Sequence, residues 1–79
     1  MGRPRKLNLT QNSDFNHNVT IQVATIIFSD VLNANLSTDY IFYTDAFMYE
    51  LPSTKVIIKQ LSTILKVESQ HIVIKSISL

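Results

Sequence analysis

The absence of cysteine in a chain of only 79 residues is the feature that most limits how this sequence can fold. A chain of this size buries only about 60% of the surface that its unfolded form exposes, so extra stabilisation is often needed. Disulfides and thiolate metal sites cannot supply it, because both need cysteine. Apolar residues make up 46% of the chain and charged residues only 16%, against about 25% in typical soluble domains. We therefore expect stabilisation from apolar contacts, including contacts with another chain.

The charges are unevenly placed, although the net charge is only +1. Arg3, Arg5 and Lys6 put three positive charges in the first six residues, and the remainder has four Lys against six Asp or Glu. We expect residues 1–6 to be a flexible basic arm and residues 7–79 to form a single small α+β domain. No apolar run reaches the roughly 20 residues of a membrane-spanning helix, and no signal peptide is recognisable. The prediction is an intracellular protein, nuclear in a eukaryote, that does not bind membranes.

The clearest predicted element is an amphipathic helix over residues 53–67. Its apolar residues cover one face of a helical wheel, and Lys55, Lys59 and Lys66 lie on the opposite face. Ser53, which follows Pro52, is a suitable N-cap residue. Such a helix should pack its apolar face on a sheet.

Residues 19–34 allow two interpretations. Their β-branched residues and the alternation of apolar side chains at the start favour a strand. The polar residues Gln22, Thr25, Ser29 and Asn33 recur at steps of three and four, however, which is typical of one face of a helix. We favour a largely buried helix with Asn18 as its N-cap.

Three further segments favour strands. Residues 6–10 alternate apolar and polar side chains, and residues 71–79 are rich in β-branched residues. Residues 40–44 are aromatic and β-branched, and they predict a hairpin with a second strand at residues 47–51. One helix over residues 38–50, stopped by Pro52, is the competing interpretation.

The predicted order of elements is β-α-β-β-α-β, which is the ferredoxin-like pattern. In that fold two helices cover one face of a four-stranded antiparallel sheet, and the other face is open. The alternative is a mostly α-helical protein with a C-terminal strand. The short connections between the predicted elements favour the ferredoxin-like arrangement.

The last predicted strand is apolar on both faces. Strict alternation points Ile72 and Ile74 to one side and Val73, Ile77 and Leu79 to the other. Edge strands of monomers usually avoid such a pattern, because an exposed apolar edge invites pairing with another chain. We therefore expect an interface with a second copy or a larger protein. Its candidate residues are Tyr40, Phe42, Tyr43, Ile72, Val73, Ile74, Ile77 and Leu79.

The sequence has no residue pattern that predicts catalysis. Cysteine is absent, no serine lies in a nucleophile elbow, and the spacing of His, Asp and Glu matches no metal motif. The spacing of Glu68 and His71 is that of an ordinary surface pair. We expect no catalytic, cofactor-binding or metal-binding residues and no small-molecule substrate, so the predicted function is a non-enzymatic assembly module that pairs through its sheet.

Two resemblances bear on a function with DNA. Residues 2–6, Gly-Arg-Pro-Arg-Lys, resemble half of an AT-hook, whose arginines enter the minor groove of A/T-rich DNA. The chain is also loosely similar to the smallest core subunit of the transcription and repair factor TFIIH. That similarity rests on Met1, Leu9, Gln11 and the basic arm, followed by the predicted helix, hairpin and Pro-Ser-started helix. It implies a small α/β subunit that pairs through its sheet and supports DNA repair. The alternative function is therefore a DNA-associated accessory subunit that uses Arg3, Arg5 and Lys6.

Overall fold

The computed structural model describes residues 7–12 and 17–79, and within them it has three strands and one α-helix. The strands are β1 (Val19–Ser29), β2 (Ala34–Thr44) and β3 (Ile72–Ser78), and the helix is α1 (Thr54–Leu65). Two single 3-10 turns, Met48–Glu50 and Ser69–His71, precede α1 and β3. The sheet is antiparallel in the order β2-β1-β3. The expected α+β class is confirmed at this level.

β1 and β2 form one long hairpin, so the favoured helix over residues 19–34 is wrong. Every residue of β1 pairs with β2, from Val19 with Thr44 to Ser29 with Ala34. The helical spacing was misleading because Thr25, counted as polar, is only 4% exposed and lies in line with the buried apolar residues of β1. The β-branched composition decides the outcome in favour of the strand.

The segment after β2 does not return as a strand. The predicted strand over residues 40–44 lies within β2, but Met48–Glu50 is a 3-10 turn, so neither the strand over residues 47–51 nor one helix over residues 38–50 forms. The Glu50 carboxylate accepts a hydrogen bond from the Phe47 N–H, which closes this turn locally.

The edge of β2 is also occupied at Tyr43, where Thr10 forms an isolated antiparallel bridge.

One face of the sheet, here called the inner face, packs against α1. The core consists of alternate residues of the strands and the two buried helix residues: Val19, Ile21, Val23, Phe42, Ile57, Leu61 and Ile72. The helix over residues 53–67 is confirmed as Thr54–Leu65, with Ser53 at the N-cap position. At its other end Lys66 takes a left-handed conformation, and the Val67 N–H donates to the Ser62 carbonyl. This geometry ends the helix.

A bulge in β3 changes which side chains face the core. The pairing with β1 runs from Thr25–Ile72 to Val23–Ile74 and resumes at Gln22–Ser76, so Lys75 is an extra residue. One extra residue reverses the alternation beyond it. Ile77 therefore pairs with Ile21 on the inner face and packs against the core, where strict alternation placed it beside Val73. The expectation of a last strand apolar on both faces is wrong for this reason.

The predicted six-element, ferredoxin-like order is not confirmed. The described residues have the order β-β-α-β, with one helix instead of two and three strands instead of four. Residues 7–10 of the predicted first strand contribute only the bridge at Thr10. The alternative of a mostly α-helical protein is also wrong. The position of β3 at a sheet edge is as expected.

The helix is much shorter than the hairpin it covers. Twelve helical residues extend about 18 Å, whereas the eleven residues of β1 extend about 37 Å. The helix contacts the Ser69–His71 turn, which begins four residues after Leu65. In this turn the His71 ring Nδ1 lies 3.0 Å from the carbonyl oxygen of Ile26. The helix therefore stops at the level of Thr25 and Ile26. The molecule is elongated, with extents of 51 × 24 × 17 Å.

Candidate functional site

The part of the hairpin beyond the helix end is the most unusual surface of the described chain. We call residues 26–38 the distal hairpin. Within it β1 and β2 pair only with each other, because the pairing of β3 with β1 ends at Thr25. Six large apolar side chains are exposed there: Ile26, Ile27, Phe28, Val31, Leu32 and Leu36. Asp30 is the only charged residue of the segment.

The inner face of the distal hairpin continues the core-facing rows beyond the helix. Ile27 lies directly opposite Leu36, and the next row toward the tip pairs Ser29 with Ala34. The burial of β1 changes abruptly here, because Thr25 is 4% exposed and Ile27 is 40% exposed. The apolar pair Ile27–Leu36 therefore stands where α1 no longer covers the sheet.

The tip is a four-residue turn over residues 30–33. Asn33 has φ 51°, a left-handed conformation that asparagine tolerates better than most residues. The Ser29 hydroxyl accepts a hydrogen bond from the Leu32 N–H at 3.3 Å. This turn leaves Val31 93% exposed and Leu32 also exposed, so the tip is apolar as well as protruding.

The opposite face of the sheet, here called the outer face, is interrupted by polar groups. The Lys75 ammonium lies 3.2 Å from the Asp39 carboxylate, so this ion pair joins the two edge strands across β1. The small side chain of Ala24, which pairs with Asp39, leaves room for the crossing. An exposed pair of this kind contributes at most about 1 kcal/mol to stability, but it gives the centre of the outer face a charged surface.

Most of the predicted interface residues belong to the inner face. Phe42 and Ile72 are buried in the core, and Tyr40, Ile74 and Ile77 are half-buried against it. Three others lie elsewhere. Tyr43 is half-buried on the outer face beside the ring of His17, Val73 is 44% exposed on the outer face, and Leu79 is exposed beyond the end of β3. Among the predicted residues of β3 itself, only Val73 therefore lies on the outer face.

The residues predicted to contact DNA, Arg3, Arg5 and Lys6, lie outside the described residues, as does the whole predicted arm. In the described part of the chain no three His, Asp or Glu side chains lie close enough together to hold a metal ion. None of the described helices is long and apolar enough to span a membrane.

A shallow depression of about 280 Å³ lies at the opposite end of the sheet from the hairpin tip. Thr10, His17, Tyr43 and Asp45 contribute to its walls. The rings of His17 and Tyr43 are 4.3 Å apart there, and the Asn18 side-chain amide donates to the Asp45 carbonyl. Residues 13–16, which join two of its walls in sequence, are outside the described residues, so the depression does not define a site.

The distal hairpin was missed because residues 19–34 were interpreted as a helix. A signal for it exists in the sequence. Ile26, Ile27 and Phe28 are consecutive and apolar, so in a strand they must project to both faces. Ser29, Asp30 and Asn33 then supply the residue types that favour a turn.

Comparisons of this chain with protein-family models, with curated proteins and with solved structures found no match.

Proposed function

We propose that this chain is a non-enzymatic assembly module that pairs through its sheet with another protein chain. The observation that carries the proposal is the distal hairpin, which exposes apolar side chains on both faces and at its tip. Single exposed apolar residues are ordinary on a protein surface. A protruding segment in which six of thirteen residues are large, apolar and exposed is typical of a surface that another molecule covers.

The strand pairing of the distal hairpin supports the same function. A two-stranded hairpin without a covering layer is marginally stable in water. Beyond Thr25 the hairpin has no third strand within the described residues, and its large apolar side chains are exposed. Contact with another chain would supply the missing layer, as the composition of the chain already suggested.

Strand β3 offers a second, smaller contribution to pairing. One side of this strand has no partner strand in the described sheet, so its backbone groups on that side are open to another chain. Val73 is the apolar residue that β3 adds on the outer face, next to Ala24 of β1. Pairing through the edge of residues 71–79 would extend the sheet without disturbing its core.

The mass of the purified protein in solution tests the proposal. We expect sedimentation velocity, from about 10 µM to about 1 mM protein, to give a species larger than the 9.0 kDa chain at the upper concentrations. A soluble, monodisperse 9.0 kDa monomer throughout would contradict the proposal, because the apolar surface would then need no cover.

A second candidate function is DNA association through residues 2–6, and the Gly-Arg-Pro-Arg-Lys motif carries it. In a eukaryote this function would require a nuclear location. Each phosphate neutralised by a basic residue adds about 0.9 to the slope of log affinity against log salt.

Deleting residues 1–6 removes three of the seven positive charges, so we expect that slope to decrease by about 3 units. The measurement is fluorescence anisotropy with an A/T-rich duplex between about 50 and 200 mM salt. A variant with Lys55 and Lys59 changed to Gln is the control for general charge loss and should keep more of the slope. An unchanged slope after the deletion, or no DNA binding by the full chain, would end this second candidate function.

A further inference from the structure

We infer that the partner of the distal hairpin is a second copy of this chain, and that two hairpins pack inner face to inner face in an antiparallel, two-fold symmetric dimer. This inference rests on the proposed function and adds the identity of the partner and the face that it contacts. In such a dimer a two-fold axis crosses the hairpin at the level of Phe28, and each tip points toward the helix end of the other copy.

The side chains on the inner face suit this arrangement. Ile27 and Leu36 form one protruding apolar row, and Ser29 with Ala34 forms a row of small side chains next to it. Rows on the same face of a strand lie about 6.8 Å apart. A two-fold axis midway between them places the large row of each copy on the small row of the other. The same surface is then complementary to itself, as a two-fold interface requires.

The space beside the helix has the thickness that a second hairpin needs. Packed sheets lie about 10 Å apart, and an α-helix with its side chains is about 10–12 Å thick. Since α1 stops at the level of Thr25, a hairpin of the second copy fills the same layer beyond the helix end. The tip residues Val31 and Leu32 then reach the last turn of the other copy's α1, where Ile64 is exposed.

Exposed apolar side chains supply area for a dimer interface. Ile27, Val31, Leu32 and Leu36 are between 40% and 93% exposed, so each has apolar area that a partner can cover. A standard interface buries roughly 800 Å² per partner, of which about 60% is non-polar, or about 480 Å². The small and polar residues between these side chains supply the remainder.

Charge also favours a second copy on this face. The distal hairpin carries one charge, Asp30, so an interface here desolvates almost no charged groups. The antiparallel arrangement puts the two Asp30 residues at opposite ends, roughly 14 Å apart by strand rise, which is beyond the screening length of about 8 Å. It also brings each Asp30 near Lys66 of the other copy, whose positive charge offsets the partial negative charge of that helix C-terminus. The outer face, in contrast, pairs Ile26 with Ser37 and Phe28 with Asn35 and carries the ion pair of Lys75.

Ile27→Lys and Ile26→Lys are a matched pair of variants that tests the inference. The two residues are neighbours with nearly equal exposure, 40% and 41%, but they lie on opposite faces. We expect sedimentation velocity to show a dimer for the unaltered protein and for Ile26→Lys. Ile27→Lys should weaken dimerisation by at least about 100-fold, because two lysines would be buried in a symmetric interface.

Other outcomes separate the inference from the proposed function. In one outcome Val73→Lys or Ile26→Lys disrupts the dimer and Ile27→Lys does not. This result would overturn the inner-face dimer but would still support the assembly function. A monomer of the unaltered protein at every concentration would overturn both. A monomer that co-sediments with phosphatidylcholine vesicles only while Ile27 is intact would overturn the second copy in favour of a lipid surface.

Single-cysteine variants keep the test valid if Ile27→Lys does not fold, because the chain has no cysteine of its own. Ser29→Cys on the inner face and Asn35→Cys on the outer face remove no apolar side chain. We expect a short bismaleimide to cross-link Ser29→Cys into a covalent dimer at least about tenfold faster than Asn35→Cys, since only the former lies near the two-fold axis. Equal rates, or faster cross-linking of Asn35→Cys, would overturn the inference.

Discussion

Phe42→Ala is expected to lower the free energy of unfolding by about 3–5 kcal/mol, the range for removing a buried phenyl ring. Phe42 is fully buried, pairs with Ile21 in the central strand, and lies 6.3 Å, ring centre to ring centre, from Tyr40. Domains of this size are stable by only about 4–12 kcal/mol. The variant should therefore be largely unfolded at 37 °C or unfold at much lower urea concentration.

The measurement is urea unfolding followed by circular dichroism at one protein concentration. Phe28→Ala is the matched control, because it removes the same ring from a residue that is 53% exposed. We expect this control to lose less than about 1 kcal/mol, the usual effect of a change on the surface. Equal losses for the two variants would contradict the assignment of Phe42 to the core and of Phe28 to the surface.

Ile77→Lys is expected to lower the free energy of unfolding by about 2–4 kcal/mol, because it places an ammonium group against the apolar core. Val73→Lys, on the same strand, should lower it by less than about 1 kcal/mol, since Val73 is on the outer face and reaches water. Urea unfolding of the two variants side by side gives the comparison.

The contrast tests the bulge at Lys75. Strict alternation would place residues 73 and 77 on one face with similar effects, whereas the extra residue separates them. If Val73→Lys were as destabilising as Ile77→Lys, the bulge would be in the wrong place or absent. If the Ile77→Lys variant stayed folded but no longer assembled, Ile77 would belong to the interface, as strict alternation suggested.

The parts of the fold that the sequence predicted well are those governed by nearby residues. Helix α1 has apolar residues repeating at the helical period, lysines opposite and Ser53 at its N-terminal cap, so its limits differ from the prediction by only one or two residues. Strand β3 was predicted from its β-branched residues, and its place at the sheet edge is as expected. Each of these signals lies within the residues of one element.

The parts that were missed depend on pairing between distant residues. Thr25 is buried because Thr38 and Ile72 lie on either side of it in the sheet. Its hydroxyl made it appear polar in the pattern of residues 19–34. The reversal at Lys75 is likewise invisible in the residues around it, because a bulge exists only relative to the neighbouring strand. The candidate site was missed together with the hairpin. The apolar side chains of the distal hairpin are exposed because the helix is too short to cover them.

The mismatch between helix and hairpin lengths has a consequence for the dynamics of the chain. Protection of backbone amides from exchange with solvent increases with the tertiary contacts that must break to expose them. The base of the hairpin is buried under the helix at Val19, Ile21 and Val23. The segment from Ile26 to Leu36 is held mainly by the pairing of the two strands. The free energy of local opening therefore falls from the base of the hairpin toward Asn33. The tip can separate and close again while the base stays folded, so it can adjust to a binding surface without the cost of global unfolding.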